Sequence, residues 1–304
     1  MAQETRELKR RIRGITNTKK VTKAMEMMAA SKMRRSVDAA LASRDYALRA
    51  WEVLTNLSEV TDPNLHALLT KREMHKALII VFTSDRGLAG GLNTQVIKKT
   101  LELVKQHPEA TLEFITVGKK GQELLIRFGF PVIATFPAPS RQPSFADILP
   151  IARIAIDEYI RGKYDMVTMV GTDYLSALAQ KPRLRTILPI TRANLQQVIA
   201  ETGPARESID LAKAGEVAEY LFEPSADEVL TAMLIRLVEM QLYQAQLEAS
   251  ASEHAARMLA MRNASDAAED LITELTLIFN KVRQAGITKD LAEISASRLA
   301  LTIE

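Results

Sequence analysis

The run ALIIVFT (77–83) leads directly into SDRGLAGGLN (84–93). An apolar stretch of strand length followed by a glycine-rich turn is how a buried parallel strand hands over to a helix. The chain continues in the same alternation. NTQVIKKTLELVKQ (93–106) reads as a helix, TLEFITVG (111–118) as a strand and KKGQELLIRFG (119–129) as a helix. PVIATF (131–136) then reads as a short strand, SFADILPIARIAIDEYIRG (144–162) as a helix and YDMVTMVGT (164–172) as a strand. This order predicts an α/β domain over about residues 75–190, with a mostly parallel sheet covered by helices.

Outside that domain the texture changes. No proline precedes Pro63 and none follows Pro224, while Gly14 and Gly286 are the only glycines in those two terminal segments. Both ends therefore read as single long helices, 1–60 and 225–304. A helix of ~55 residues is roughly 80 Å long at about 1.5 Å per residue, more than a compact domain of this size wraps. Ser225 and Glu228, just after Pro224, have the spacing of a capping box and mark the start of the second helix. Its apolar seam alternates by three and four through His254, Met258, Met261, Ser265, Ala268, Ile272, Leu275, Phe279 and Val282. The first helix offers Leu8, Ile12, Ile15, Thr22, Met25, Ala29, Met33, Val37 and Leu41. A period near 3.5 is that of a coiled coil, and the small or polar seam residues suit close, modestly held helices. Two core helices of a globular bundle are the competing reading; length and the half-polar seam count against it. The expected fold is α/β, with a long antiparallel coiled coil of the N- and C-terminal helices and the α/β domain inserted between them. Residues 191–224 lack a firm period and read as an irregular connection or foot.

Composition removes several functions. The chain has 304 residues, no cysteine and a net charge of +3. A disulfide framework, a thiol nucleophile and zinc–thiolate sites are excluded. No apolar run is long enough to span a bilayer, and the N-terminus has no apolar signal core. The charge is uneven: residues 1–44 carry twelve Lys/Arg against four acids, and residues 192–228 carry eight acids against three Lys/Arg. A basic arm requires an anionic neighbour.

The glycine loop raises the question of a nucleotide. Gly87, Gly90 and Gly91 form G-x-x-G-G, which is neither the dinucleotide G-x-G-x-x-G nor the P-loop motif, and Lys98 and Thr100 come too late to serve the latter. The second strand ends in Val117 and Gly118 with no acid for a ribose. A tight turn packing strand against helix is the reading these residues favour. His66, His75, His107 and His254 have no metal-ligand spacing, and no histidine completes a triad with Ser84 and Asp85. No catalytic residue, metal site or cofactor is expected.

Taken together, three segments resemble a known family. RELKRRIRGITNTKKVTKAMEMMAASKMRR (6–35) resembles the opening of the γ subunit of the F-type ATP synthase. SDRGLAGGLN is similar to the signature at the edge of that family's Rossmann-like domain, and ASEHAARMLAMRNASDAAEDLITELTLIFNKVRQAGITKDLAEI (251–294) to its closing helix. The resemblance implies a non-catalytic central rotor shaft, transmitting torque between a proton-driven c-ring and a ring of three α and three β subunits. It implies contacts with the β subunit at Met25, Arg257, Gln284, Thr288 and Asp290, and with the c-ring or ε subunit at Tyr220 and Glu223. Asp290 stands where the family has the longer Glu, and Arg298 and Glu304 bring charges to a tail that is ordinarily apolar. The implied location is peripheral, on the cytoplasmic face of a bacterial plasma membrane and held there by partners, without nucleic acid. Two rivals remain: a nucleic-acid-binding coiled coil using the basic arm, and a nucleotide-dependent enzyme on the central domain.

Overall fold

A computed structural model describes residues 2–60, 66–139, 141–191 and 225–302. The elements run α1 (Ala2–Val60), β1 (Lys76–Phe82), α2 (Leu92–Gln106), β2 (Thr111–Val117), α3 (Lys119–Arg127) and β3 (Val132–Phe136). They continue through α4 (Phe145–Ile160), β4 (Met166–Tyr174), β5 (Gln180–Leu188) and α5 (Ala226–Thr302). Two compact units result: Met1–Ala29 with Arg257–Glu304, and Ala30–Ala256.

The larger unit holds a five-stranded sheet in the order β3-β2-β1-β4-β5. β1 pairs in parallel with β2 and β4, β2 with β3, while β4 and β5 are antiparallel. After Lys76 β1 is apolar to its end, as a strand buried on both faces requires. Leu78, Ile80 and Phe82 point into one core with α4 and with Leu230, Leu234, Leu237, Val238 and Leu242 of α5. Ile79 and Val81 point into the other, with Val96, Ile97 and Leu103 of α2 and Leu125 of α3. The first third of α5 is thus a cover for the sheet, a role its continuous helical pattern did not announce.

The expected strands and helices of the central domain occur, with β5 added. Lys181, Pro182, Arg183 and Arg185 hide its strand character, and Pro182 is tolerated because β5 is an edge strand. Pairing with its predecessor makes the sheet mixed. α5 opens as the sequence indicates: the Glu228 N–H donates to Ser225 Oγ at 3.3 Å.

In the smaller unit α1 and α5 lie side by side and run in opposite directions. Lys19 is paired with Glu269, and three residues later Thr22 Oγ1 meets Ser265 Oγ at 2.7 Å. All nine expected seam positions of α5, from His254 to Val282, are buried or half-buried. Within the larger unit the α1 seam departs from expectation beyond Met33. Ser36 and Ala40 are buried and Leu41 is 50% exposed. Ser36 Oγ lies 3.1 Å from Ser250 Oγ, so the seam keeps its three-and-four spacing through Ser36 and Ala40, with Val37 half-buried beside it and Leu41 left outside.

Candidate interaction surface

The glycine loop follows β1 where the strand order reverses, the place at which open α/β sheets bind ligands. Here the chain's own groups occupy it. The Asp85 carboxylate accepts hydrogen bonds from Lys119 N–H, at the first residue of α3, at 3.0 Å and from Ala138 N–H at 3.2 Å. The positive end of α3 is therefore already neutralised by a side chain. Asn93 closes the other side: its amide donates to Ser84 Oγ at 2.7 Å and accepts from Ser84 N–H at 3.1 Å. Gly118 is required by close packing. With φ +103°, a Cβ there would sit 2.3 Å from the Thr83 carbonyl oxygen. The stretch is a strand-to-helix joint, as its glycine spacing suggested. Among the described residues no group of three or more His, Asp or Glu is placed to hold a metal.

The surface that invites a partner lies on the helices of the smaller unit. Val21, Met27 and Met28 of α1 and Leu271, Leu277, Ile287, Leu291 and Ile294 of α5 are large apolar side chains left exposed. Exposed apolar residues in such number mark an interaction site. The α5 seam ends near Val282, because the antiparallel register places that position opposite the beginning of α1. Across 287–296 every residue is exposed. Ile287, Leu291 and Ile294 are spaced by four and three and share one face of this unaccompanied segment.

Met25 is half-buried on α1 and Arg257 half-buried on α5, while Gln284, Thr288 and Asp290 are exposed on α5. Thr288 stands one turn beyond Gln284, so an amide and a hydroxyl share a face beside the apolar stripe. Asp290, two residues on, turns to the opposite side. Arg257 lies 27 positions before Gln284, about 40 Å away along a helix. The five residues therefore do not form a single patch. Tyr220 and Glu223 lie outside the described residues, as does the side chain of Arg298.

Sequence reasoning missed one group of residues. Asp173 at the end of β4, Arg185 on β5 and Glu248 on α5 are the buried charged side chains among the described residues, and they touch one another. Their signal was faint: charges inside strand-like and helix-like runs, with no partner at local spacing.

The chain matches the family described as ATP synthase over residues 4–301. It is 40% identical to the ATP synthase gamma chain of Roseiflexus castenholzii, over 98% of both chains. It is 35% identical to that of Legionella pneumophila, over 97% of this chain and 99% of the relative. Its fold is similar to a chain in the Euglena gracilis mitochondrial ATP synthase, with a TM-score of 0.66 at 20% identity, covering 99% of this chain and 95% of the other. A chain from the central stalk and c-ring of the Tetrahymena thermophila enzyme matches with a TM-score of 0.59 at 24% identity, over 81% of this chain and 99% of that one. With a family match over residues 4–301 and 40% identity across nearly the whole of a relative, the chain belongs to the ATP synthase gamma chains.

Proposed function

We propose that this protein is the central rotor shaft of an F-type ATP synthase, carrying torque between a proton-driven c-ring and a catalytic ring of three α and three β subunits, with no catalysis of its own. In this reading 1–60 and 225–304 form an antiparallel coiled coil, 75–190 the Rossmann-like domain, and 191–224 part of the foot. The observation that carries it is the exposed end of α5, where Ile287, Leu291 and Ile294 stand on one face with Gln284 and Thr288 beside them. A shaft must turn in its sleeve without a deep bound state. A short apolar stripe interspersed with polar groups provides contact without a large dry interface. Basic residues of α1 attract acidic loops of the surrounding subunits through screened surface charge, which does not fix geometry.

Met25 and Arg257 would meet the β subunits at one level, and Gln284, Thr288 and Asp290 at another. Tyr220 and Glu223 would meet the c-ring or the ε subunit. No described helix is long and apolar enough to cross a membrane, so attachment to the cytoplasmic face of the bacterial plasma membrane would run through partners. The Asp85 cap disfavours the nucleotide-enzyme reading. Against the nucleic-acid reading, the basic arm has no aromatic residue before Tyr46 for a base to stack on. Co-expression with the cognate α and β subunits tests the proposal. The expected product holds one copy of this chain per three α and three β, and removing residues 1–40 together with 270–304 lowers its ATPase. Failure to assemble would overturn the reading.

A further inference from the structure

With no cysteine present, methionine carries all of the chain's sulfur. Of the methionines whose side chains are described, Met27 and Met28 alone are exposed, by 62% and 59%. Met169, Met240 and Met261 are buried and the others half-buried. The difference has a local cause. A helical side chain lies over the turn before it. Beneath both Met27 and Met28 that turn presents Ala24, itself exposed, whose single methyl covers neither thioether. Lys23, the other residue beneath Met27, is drawn to Glu26 at 2.9 Å. Met33, by contrast, has its sulfur engaged by the Tyr174 hydroxyl, which donates to it at 3.9 Å.

We propose that Met27 and Met28 form a paired site of reversible oxidation, taking oxygen from hydrogen peroxide and turning this apolar patch of α1 polar. In each step the thioether sulfur attacks one oxygen of the peroxide. The S–O bond forms, the O–O bond breaks, and the proton of the attacked oxygen passes to the departing hydroxide, which leaves as water. Sulfur gives up two electrons and the peroxide takes them. The product is a polar sulfoxide, which methionine sulfoxide reductases return to the thioether. Flexible, polarisable methionines suit adaptable contact surfaces. Oxidation of this exposed pair therefore weakens a contact without disturbing the core. The consequence for a complex rests on the rotor reading, in which α1 meets the surrounding subunits.

The test begins with the full chain in dilute hydrogen peroxide, the tryptic peptide 24–32 being followed by tandem mass spectrometry. Met27 and Met28 should each gain one oxygen several-fold faster than Met25 in the same peptide, and faster still than Met169, Met240 and Met261. Sulfoxide reductases should remove both oxygens. Oxidation of all methionines at a common rate, or of Met25 ahead of the pair, would overturn the site. Complexes are then reconstituted with cognate α and β subunits from oxidised and untreated chain, and likewise from Met27→Leu/Met28→Leu. Oxidation should at least halve the ATPase of the wild-type complex and leave that of the variant close to its own untreated level. Equal losses in the two would overturn the effect on the contact. Failure of the untreated chain to assemble would overturn the rotor reading, whereas the mass-spectrometric result alone decides the oxidation site.

Discussion

Thr22 and Ser265 each bring one hydroxyl to the buried contact between α1 and α5, and the two satisfy each other. Thr22 Oγ1 also donates to the Lys19 carbonyl oxygen at 3.0 Å, so Thr22→Val, which takes the Thr22 hydroxyl from Ser265, should cost about 1–2 kcal/mol and Ser265→Ala, which leaves Thr22 its Lys19 partner, should cost less. The double substitution should recover part of that loss, and a double-mutant cycle by urea denaturation measures the coupling. Glu113 lies near the amino end of β2. Hydrogen bonds from Lys76 and from Tyr164 hold Glu113 below its ordinary 4.5. Its contribution is present above pH 4.5 and lost as the pH falls through the lower folded value. Glu113→Gln should therefore be less stable than wild type at neutral pH, with the gap closing in acid, as read by thermal unfolding against pH. At this scale the sequence was legible where residue type and burial agree, as at Ile272 or Leu275. It was opaque where a small residue wins the buried place: Ser36 and Ala40 are buried because the helices approach closely there, and Leu41 is left outside.

Helix α3 begins on a glycine and relies on a side chain from a distant loop for its cap. Gly118 N–H donates to the Phe136 carbonyl oxygen at 2.8 Å, and the next N–H, of Lys119, is taken by Asp85. Asp85→Ala should cost about 1 kcal/mol, the ordinary worth of a cap, and Asp85→Asn less. Gly118→Ala should cost more than the cap does, because both the positive φ and the Thr83 carbonyl oxygen oppose a Cβ. Chemical denaturation of the full chain ranks the three variants; a Gly118→Ala chain as stable as wild type would refute the packing argument. The alternation of strand and helix was readable because β1 is an unbroken apolar run from Ala77 to Phe82 and β2 and β4 are predominantly apolar. β5 was not, since an edge strand tolerates Pro182 and carries Arg183 and Arg185, and the edge position itself is set only when the sheet is assembled. The long proline-free helices were equally readable, but the change of role along α5, from sheet cover to partner of α1, leaves no break in its sequence.

At the scale of the molecule, folding and proposed function place separable demands on the last turns of α5. Residues that stabilise the chain must be buried within it, and across 287–296 none is. Ending the chain after Gly286 should therefore leave the thermal midpoint of the isolated protein nearly unchanged, because surface residues away from packed features contribute little. The same truncation removes Ile287, Leu291 and Ile294 together with Thr288 and Asp290, which in the rotor reading form the upper contact with the catalytic ring. In the complex with α and β subunits it should lower ATPase activity several-fold, on the order of 1 kcal/mol of lost contact. Replacing the three apolar residues by Ser in the full-length chain should reproduce most of that loss, since it leaves helix length and the polar face intact. Calorimetry on the chain alone and ATPase assays on the assembled ring separate the two demands. A large fall in the midpoint would place these turns in the folding core. Unchanged activity with an unchanged midpoint would mean that the exposed stripe is not the contact, and would move the coupling surface down to the level of Met25 and Arg257.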